Sequence, residues 1–312
     1  MPNILITGGT GLIGTALSRM LVEKGYDVTL LSRSKRASGI SDLRTAYWDV
    51  KAQTIDTDAI READFIIHLA GAGVADKRWS HKRKNEIIES RTKSSALLIK
   101  ALQEIPNKVQ AVVSASAIGW YGADPAIPNP APFEETAPAD DEFLGETCRL
   151  WEESISPITA MGKRLVILRT GIALSRKGGA LAEFTKPVKM GVAAILGSGK
   201  QMISWIHADD LCRLYLQAIE QPDWRGVYNA VAPKPVDNKT LTLELAHRLK
   251  GKYYVPVYVP SFLLKIVLGE LSVEVLKSAT VSTKKARIAG FQFLYPSIQS
   301  ALEELLAPKA GG

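Results

Sequence analysis

A chain of 312 residues with 46% hydrophobic and 23% charged residues has room for one large domain or two unequal ones around a full core. A net charge of +7 favours anionic partners such as phosphorylated cofactors, and no nucleic-acid recognition module accompanies it. Cys148 and Cys212, the only cysteines, and four scattered histidines form neither a disulfide framework nor a metal-ligand spacing.

No apolar run reaches bilayer length, and no basic region with a cleavage site opens the chain. A cytoplasmic protein with no membrane partner is therefore expected. In chain order, Asn3–Thr7 is predicted as a strand and Leu12–Lys24 as a helix stopped by Gly25. Asp27–Ser32, Thr45–Asp49, Phe65–Leu69 and Ala111–Ser116 follow as short β-branched strands. A long helix is predicted from Ser80 to Leu102, another from Leu144 to Ala160, and a sixth strand from Leu165 to Ala173. The proline-rich stretch 123–132 reads as a surface loop.

Beyond residue 175 the pattern loosens around Gly178, Gly179, Gly191, Gly197 and Gly199. Helices return at Ala208–Glu220 and Asn238–Leu249. The apolar run Phe262 to Leu276 carries Lys265, Glu270 and Glu274, so it reads as a buried or lid helix. Strands alternating with helices predict an α/β fold, a Rossmann-like doubly wound parallel sheet with a smaller, mostly helical C-terminal unit on the substrate side. Residues 1–175 with 205–232 are assigned to the dinucleotide-binding domain, and 176–204 with 233–312 to the C-terminal unit.

T-G-G-T-G-L-I-G (7–14) lies between the first strand and the first helix, the context that makes a glycine pattern specific. Gly8 permits the tight turn, Gly11 lets the backbone approach a pyrophosphate, and Gly14 lets helix and sheet pack closely. Thr7, Leu12 and Ile13 complete this cradle, where a helix N-terminus presents free N–H groups to phosphate. The second strand ends in Ser32, Arg33, Lys35 and Arg36 without an acid. An NAD site needs a carboxylate there for the ribose 2′-OH, whereas arginine suits a 2′-phosphate, so NADP(H) is the expected cofactor. Asp49 and the turn Leu69, Ala70 and Gly71, at the ends of the third and fourth strands, complete the cofactor set.

With H-L-A-G (68–71), S-A-S-A-I-G-W-Y-G (114–122), L-R-T-G (168–171) and S-W-I-H-A-D-D-L (204–211) in this order, the chain resembles the extended short-chain dehydrogenases/reductases. It is similar to their NAD(P)-dependent epimerase/dehydratase branch. A-D-K-R-W (75–79), S-R (90–91), W-E-E (151–153) and G-S-G-K-Q (197–201) narrow the resemblance to an atypical, epimerase-like subfamily whose C-terminal domain has no assigned function. The resemblance implies an oxidoreductase of a small-molecule substrate. It also implies a tyrosine and, four residues on, a lysine that binds the nicotinamide ribose and lowers the tyrosine's pKa. Those positions fall on Leu144 and Cys148. No residue from Phe143 to Trp151 is Tyr or Lys, so no shift of register restores the pair, and Tyr47 to Lys51 is a decoy at a strand end.

What remains is Ser116, at the family's catalytic-serine position with one extra residue before Tyr-Gly, and the nearby Tyr121. The competing readings are a serine closing a strand and a tyrosine packing beside the substrate. The run 76–84 carries Lys77, Arg78 and Trp79, with Arg91 further along the helix. By family position these face an anionic or aromatic substrate, against the default of a solvated basic face. Cys148 reads as an inert thiol and His207 as a helix cap. The alternative to catalysis is a non-catalytic, NADP(H)-responsive regulatory or binding protein.

Overall fold

The computed structural model describes residues 1–33 and 43–308. Seven parallel strands form the main sheet: β1 (Asn3–Thr7), β2 (Asp27–Ser32), β3 (Arg44–Asp49), β4 (Phe65–His68), β5 (Ala111–Ala117), β6 (Arg164–Thr170) and β7 (Gly226–Ala230). Their spatial order is β7-β6-β5-β4-β1-β2-β3, and the two-residue strand Thr54–Ile55 adds an antiparallel edge beside β3. The chain thus winds outward from β1 in both directions, and Thr7 pairs with Leu31 on one side and His68 on the other. Such a reversal opens a crevice at the carboxyl ends of β1 and β4.

The helices are α1 (Leu12–Glu23), α2 (Thr57–Glu62), α3 (His81–Glu104), α4 (Phe143–Ile155), α5 (Ala180–Lys189), α6 (Ala208–Glu220), α7 (Asn238–Lys250), α8 (Ser261–Leu268), α9 (Leu271–Leu276), α10 (Lys284–Ile288) and α11 (Ile298–Leu306). Leu17 and Leu21 of α1 and Leu211 and Leu214 of α6 cover one sheet face around Ile4, Ile6 and Val113. Ile60 of α2, Leu97 and Leu98 of α3 and Ile155 of α4 cover the other. With both faces covered, the strands are apolar without alternation: all five residues of β1 are buried. A separate core of Leu181, Trp205, Leu241, Leu245 and Leu302 holds α5, α7 and α11 together.

Three expectations change. The strand predicted to run from Leu165 to Ala173 breaks at Gly171, where the Ser204 backbone approaches so closely that a Cβ would lie 2.5 Å from its carbonyl oxygen. Ile172–Ser175 turns away to pair with Trp205–His207. The helix predicted to reach Ala160 ends at Ile155 and continues as a 3₁₀ segment, Ser156–Met161, since Pro157 cannot donate to the Glu153 carbonyl. The run from Phe262 to Leu276 forms two helices separated at Gly269 (φ 63°), with Phe262, Ile266 and Val267 exposed rather than buried.

Among the described residues no helix is long and apolar enough to cross a membrane. Asp124 anchors the C-terminal segment by accepting hydrogen bonds from the Ser278 and Thr280 hydroxyls and the Thr280 N–H.

Candidate cofactor and active site

The crevice is lined first by the turn from β1 into α1. Gly8 has φ 68°, and a Cβ on it would press against the backbone of Leu69 and Ala70; a Cβ on Gly14 would collide with the Gly8 carbonyl oxygen. On Gly11 a Cβ would meet only that same oxygen, at 3.3 Å. Gly11 is the N-cap of α1, with no capping side chain and no acid in the first turn. The N–H groups of Leu12, Ile13 and Gly14 are therefore left to an incoming anion, and the cradle fits a pyrophosphate.

Thr7 is fully buried and ties this turn to the next strand. Its hydroxyl accepts from the Leu69 and Ala70 N–H groups at 3.1 and 3.2 Å and lies 2.7 Å from His68 Nδ1. Burial pulls the His68 pKa down to about 3, so the ring is neutral. Thr7 donates to Nδ1, which leaves the ring proton on Nε2, 3.3 Å from the Ser94 and Ser95 hydroxyls.

Leu69 and Ala70 are half-buried, and Gly71 is exposed at the rim. At the end of β2, Ser32 is half-buried and Arg33 exposed. Lys35 and Arg36 lie outside the described residues. The Asp49 carboxylate accepts from the Ala52 and Lys51 N–H groups, which hold its pKa below the usual carboxylate range, with a smaller contribution from Arg33.

A second constellation surrounds the carboxyl end of β5. Ser116 donates to Glu152 Oε1 at 2.6 Å. Arg169 on β6 grips the same carboxylate with two bonds, Nε to Oε1 at 2.8 Å and Nη2 to Oε2 at 2.9 Å. It also donates to the Tyr121 hydroxyl at 3.1 Å and stacks on Trp120, 3.6 Å from the ring centroid. Although burial disfavours its charge, the bonds to Glu152 and Tyr121 hold the Arg169 pKa above its ordinary value. Tyr121 is fully buried, lies parallel to Phe133 and donates to Asn229 Oδ1 at 2.7 Å. Ser116 itself is 3% exposed.

Glu152, Arg169 and Asn229 carried no assigned role in the sequence, although W-E-E and L-R-T-G contain the first two. Only the fold joins Ser116 to Glu152, 36 residues away.

Leu144, Cys148 and Glu152 succeed one another at single-turn spacing along α4. Leu144 packs where Gly119 has no side chain, and Cys148 Sγ donates to the Ala117 carbonyl at 3.6 Å. Burial and the neighbouring Glu152 push the Cys148 thiol up to about 11, so it is neutral and unreactive near pH 7. Arg149 points elsewhere, into ion pairs with Glu146 and Glu153. The tyrosine–lysine face is present in outline without its chemistry.

The residues expected to meet substrate are dispersed. Lys77 is exposed, and Arg78 reaches toward Gly269 between α8 and α9. Trp79 donates to the Val74 carbonyl at 2.8 Å and packs edge-on against Phe143. Lys84 lies over both rings and pairs with Glu270. Arg91 is buried, its guanidinium 4.8 Å from the centroid of the Trp151 ring. His207 caps α6 by accepting from the Asp209 N–H and bonds Glu304 on α11 at 2.9 Å, a structural role.

Comparison with known proteins gives two matches in tandem. Residues 4–231 match the NAD dependent epimerase/dehydratase family, and residues 259–305 match a domain of unknown function. The chain is 33% identical over 307 residues to the epimerase family protein YfhF of Bacillus subtilis, spanning 98% of this chain and 99% of that one. Identity to the human epimerase family protein SDR39U1 is 30% over 308 residues, spanning 97% and 99%. The crystal structure of human SDR39U1 (isoform 2) with NADPH superposes with a TM-score of 0.85 at 28% identity, covering 97% of this chain and 98% of that one.

Proposed function

Since the chain belongs to the NAD dependent epimerase/dehydratase family, we propose that it is an NADP(H)-dependent oxidoreductase of a small, anionic alcohol or carbonyl compound, with Ser116 and Glu152 handling the proton. The cofactor assignment is supported by the uncapped N-terminus of α1, by Arg33 at the end of an acid-free β2 turn, and by NADPH in the human relative's structure. When bound, the nicotinamide supplies hydride transfer.

The observation that carries the catalytic reading is the 2.6 Å bond from Ser116 to Glu152. A hydroxyl has one proton and two lone pairs, so a serine donating to a carboxylate keeps its lone pairs for a substrate hydroxyl. In the oxidising direction the substrate O–H proton passes to Ser116 Oγ while the Ser116 proton passes to Glu152. In the reducing direction both transfers reverse and the new alcohol takes the proton. Arg169 fixes the carboxylate in place by its two-point grip. Tyr121, donating to Asn229, stays behind this relay as a support for Arg169.

A specific observation favours a second reading, a non-catalytic NADP(H)-responsive protein: Leu144 and the neutral thiol of Cys148 occupy the face where a proton donor is otherwise expected. Single-turnover nicotinamide absorbance with a panel of carboxylated and phosphorylated carbonyl compounds separates the two. Substrate-dependent NADPH oxidation that collapses in Ser116→Ala and Glu152→Gln supports the enzyme. Tight NADPH binding with no oxidation by any member of the panel supports the responsive protein.

A further inference from the structure

The buried arginines have different partners. Arg83 pairs with Asp76 and Glu86, and Arg169 with Glu152. Arg164 donates to the Ala218, Ile219 and Trp224 carbonyls around the C-terminus of α6, where a cation is favoured by the helix dipole. Arg91, on α3 and 9% exposed, differs from all three. Its hydrogen bonds come from Nη1 alone, to the Ala72 carbonyl at 3.0 Å and the Ile87 carbonyl at 2.8 Å. Among the described residues no carboxylate lies within ion-pair distance of it, and neither Nε nor Nη2 makes a hydrogen bond. Removing a guanidinium from water without a counter-charge is costly. An anionic ligand offsets that cost.

Place and neighbours identify the ligand. The Arg91 guanidinium lies against Gly71, in the turn after β4: a Cβ on that glycine would stand 3.1 Å from Arg91 Cζ. Arg91 rests on Trp151 of α4 and is an electrostatic neighbour of Cys148, one turn before Glu152. In the sheet order, β4 and β5 lie on one side of β1, while β2 with Arg33 lies on the other. A dinucleotide spanning the reversal with its 2′-phosphate near Arg33 therefore brings its nicotinamide half toward Arg91.

Resting on the cofactor reading above, we propose that Arg91 binds the nicotinamide-side ribose-phosphate of NADP(H), supplying from α3 the cation that a thiol at position 148 cannot supply from α4. The short Cys148 side chain and the long Arg91 one are complementary: an ammonium at 148 beside the guanidinium would add like-charge repulsion. Arg91 is a positioning residue, and its effect is read in binding.

Calorimetric titration with NADPH and with adenosine 2′,5′-bisphosphate, which lacks the nicotinamide ribose-phosphate, tests this. Arg91→Met is expected to weaken NADPH about 10- to 100-fold, the loss of one or two charge-assisted hydrogen bonds, while bisphosphate affinity stays within about twofold. Arg91→Lys should fall between, and Cys148→Lys added to Arg91→Met should restore part of the NADPH affinity. If Arg91→Met does not fold, Arg91→Lys carries the test, and its NADPH loss must exceed its bisphosphate loss. Undiminished NADPH binding, or equal losses for both nucleotides, overturns the role of Arg91 and leaves the cofactor assignment intact. Wild-type protein that binds neither nucleotide overturns the cofactor assignment and this inference with it.

Discussion

Ser116 at the end of β5 donates to the Glu152 carboxylate in the last half of α4 across 2.6 Å, in a site from which almost all solvent is excluded. With Leu144 and Cys148 filling the two preceding turns of the same α4 face, the proton path proposed above runs through this bond. Ser116→Ala is expected to lower single-turnover hydride transfer by about 100- to 10,000-fold, the usual contribution of a positioned acid or base. NADPH affinity should be unchanged, because the serine lies away from the α1 cradle. Stopped-flow absorbance for the rate and calorimetry for the affinity test both halves, and an unaltered rate excludes Ser116 from the chemistry.

Arg169 and Glu152 form a buried pair whose side chains are 3% and 10% exposed. Breaking such a pair leaves an uncompensated charge, so Arg169→Met should destabilise the fold by about 3–5 kcal/mol. Removing both charges in Arg169→Met/Glu152→Met should cost less than the sum of the single changes, since the double variant buries no lone ion. Urea unfolding midpoints of the four proteins supply the cycle. Strict additivity would show that the two side chains are not coupled.

The parts written in local pattern were legible, and those made by long-range contact were not. T-G-G-T-G-L-I-G announces the cradle because three glycines, a strand and a helix are contiguous, and Gly8 and Gly14 are packed as that spacing requires. The α6 helix spans Ala208–Glu220 as predicted, with His207 before it serving as its cap. Gly171 looked like one more strand residue, because the Ser204 carbonyl that bars a side chain there comes from 33 residues on. The Glu152–Arg169 grip was hidden for the same reason: a carboxylate on a helix and a guanidinium on a strand announce no pairing. Tyr121 drew attention through the Tyr-Gly motif, yet its environment is set by Asn229, 108 residues away. The run from Phe262 read as one buried or lid helix because apolar content alone does not specify burial; its glycine divides it and leaves five large side chains, Phe262, Leu263, Ile266, Val267 and Val273, in solvent.

Arg33 stands exposed at the end of β2 with Asp49 as its electrostatic neighbour. Its effect on the crevice should therefore be confined to the 2′-phosphate. Arg33→Ala is expected to weaken NADPH by about 10-fold or more, as for loss of a charge-assisted phosphate contact, and to leave NADH nearly unchanged. Parallel fluorescence titrations of both nucleotides give the ratio. Equal weakening of both would place the arginine elsewhere on the ligand.

His68 gives the fold a pH dependence whose sign follows from its burial. In the unfolded chain its imidazole titrates near its ordinary value of 6.5, whereas in the folded protein burial holds its pKa at about 3. Between these values the unfolded state binds a proton that the folded state does not, so stability must fall as pH is lowered through this window. Each pH unit well below 6.5 removes up to about 1.4 kcal/mol, and going from pH 7 to pH 5 should cost about 2 kcal/mol from this group alone. Above pH 7 both states are neutral at this position and it contributes no slope. His68→Gln keeps a polar side chain beside Thr7 and cannot take up the proton. Its stability at pH 7 should be lower than wild type, because the fit to Thr7 and Ser95 is lost, but its decline toward pH 5 should be shallower by that same amount. Urea unfolding of the two proteins at pH 7, 6 and 5 tests this, and parallel declines would show that His68 is not the group responsible.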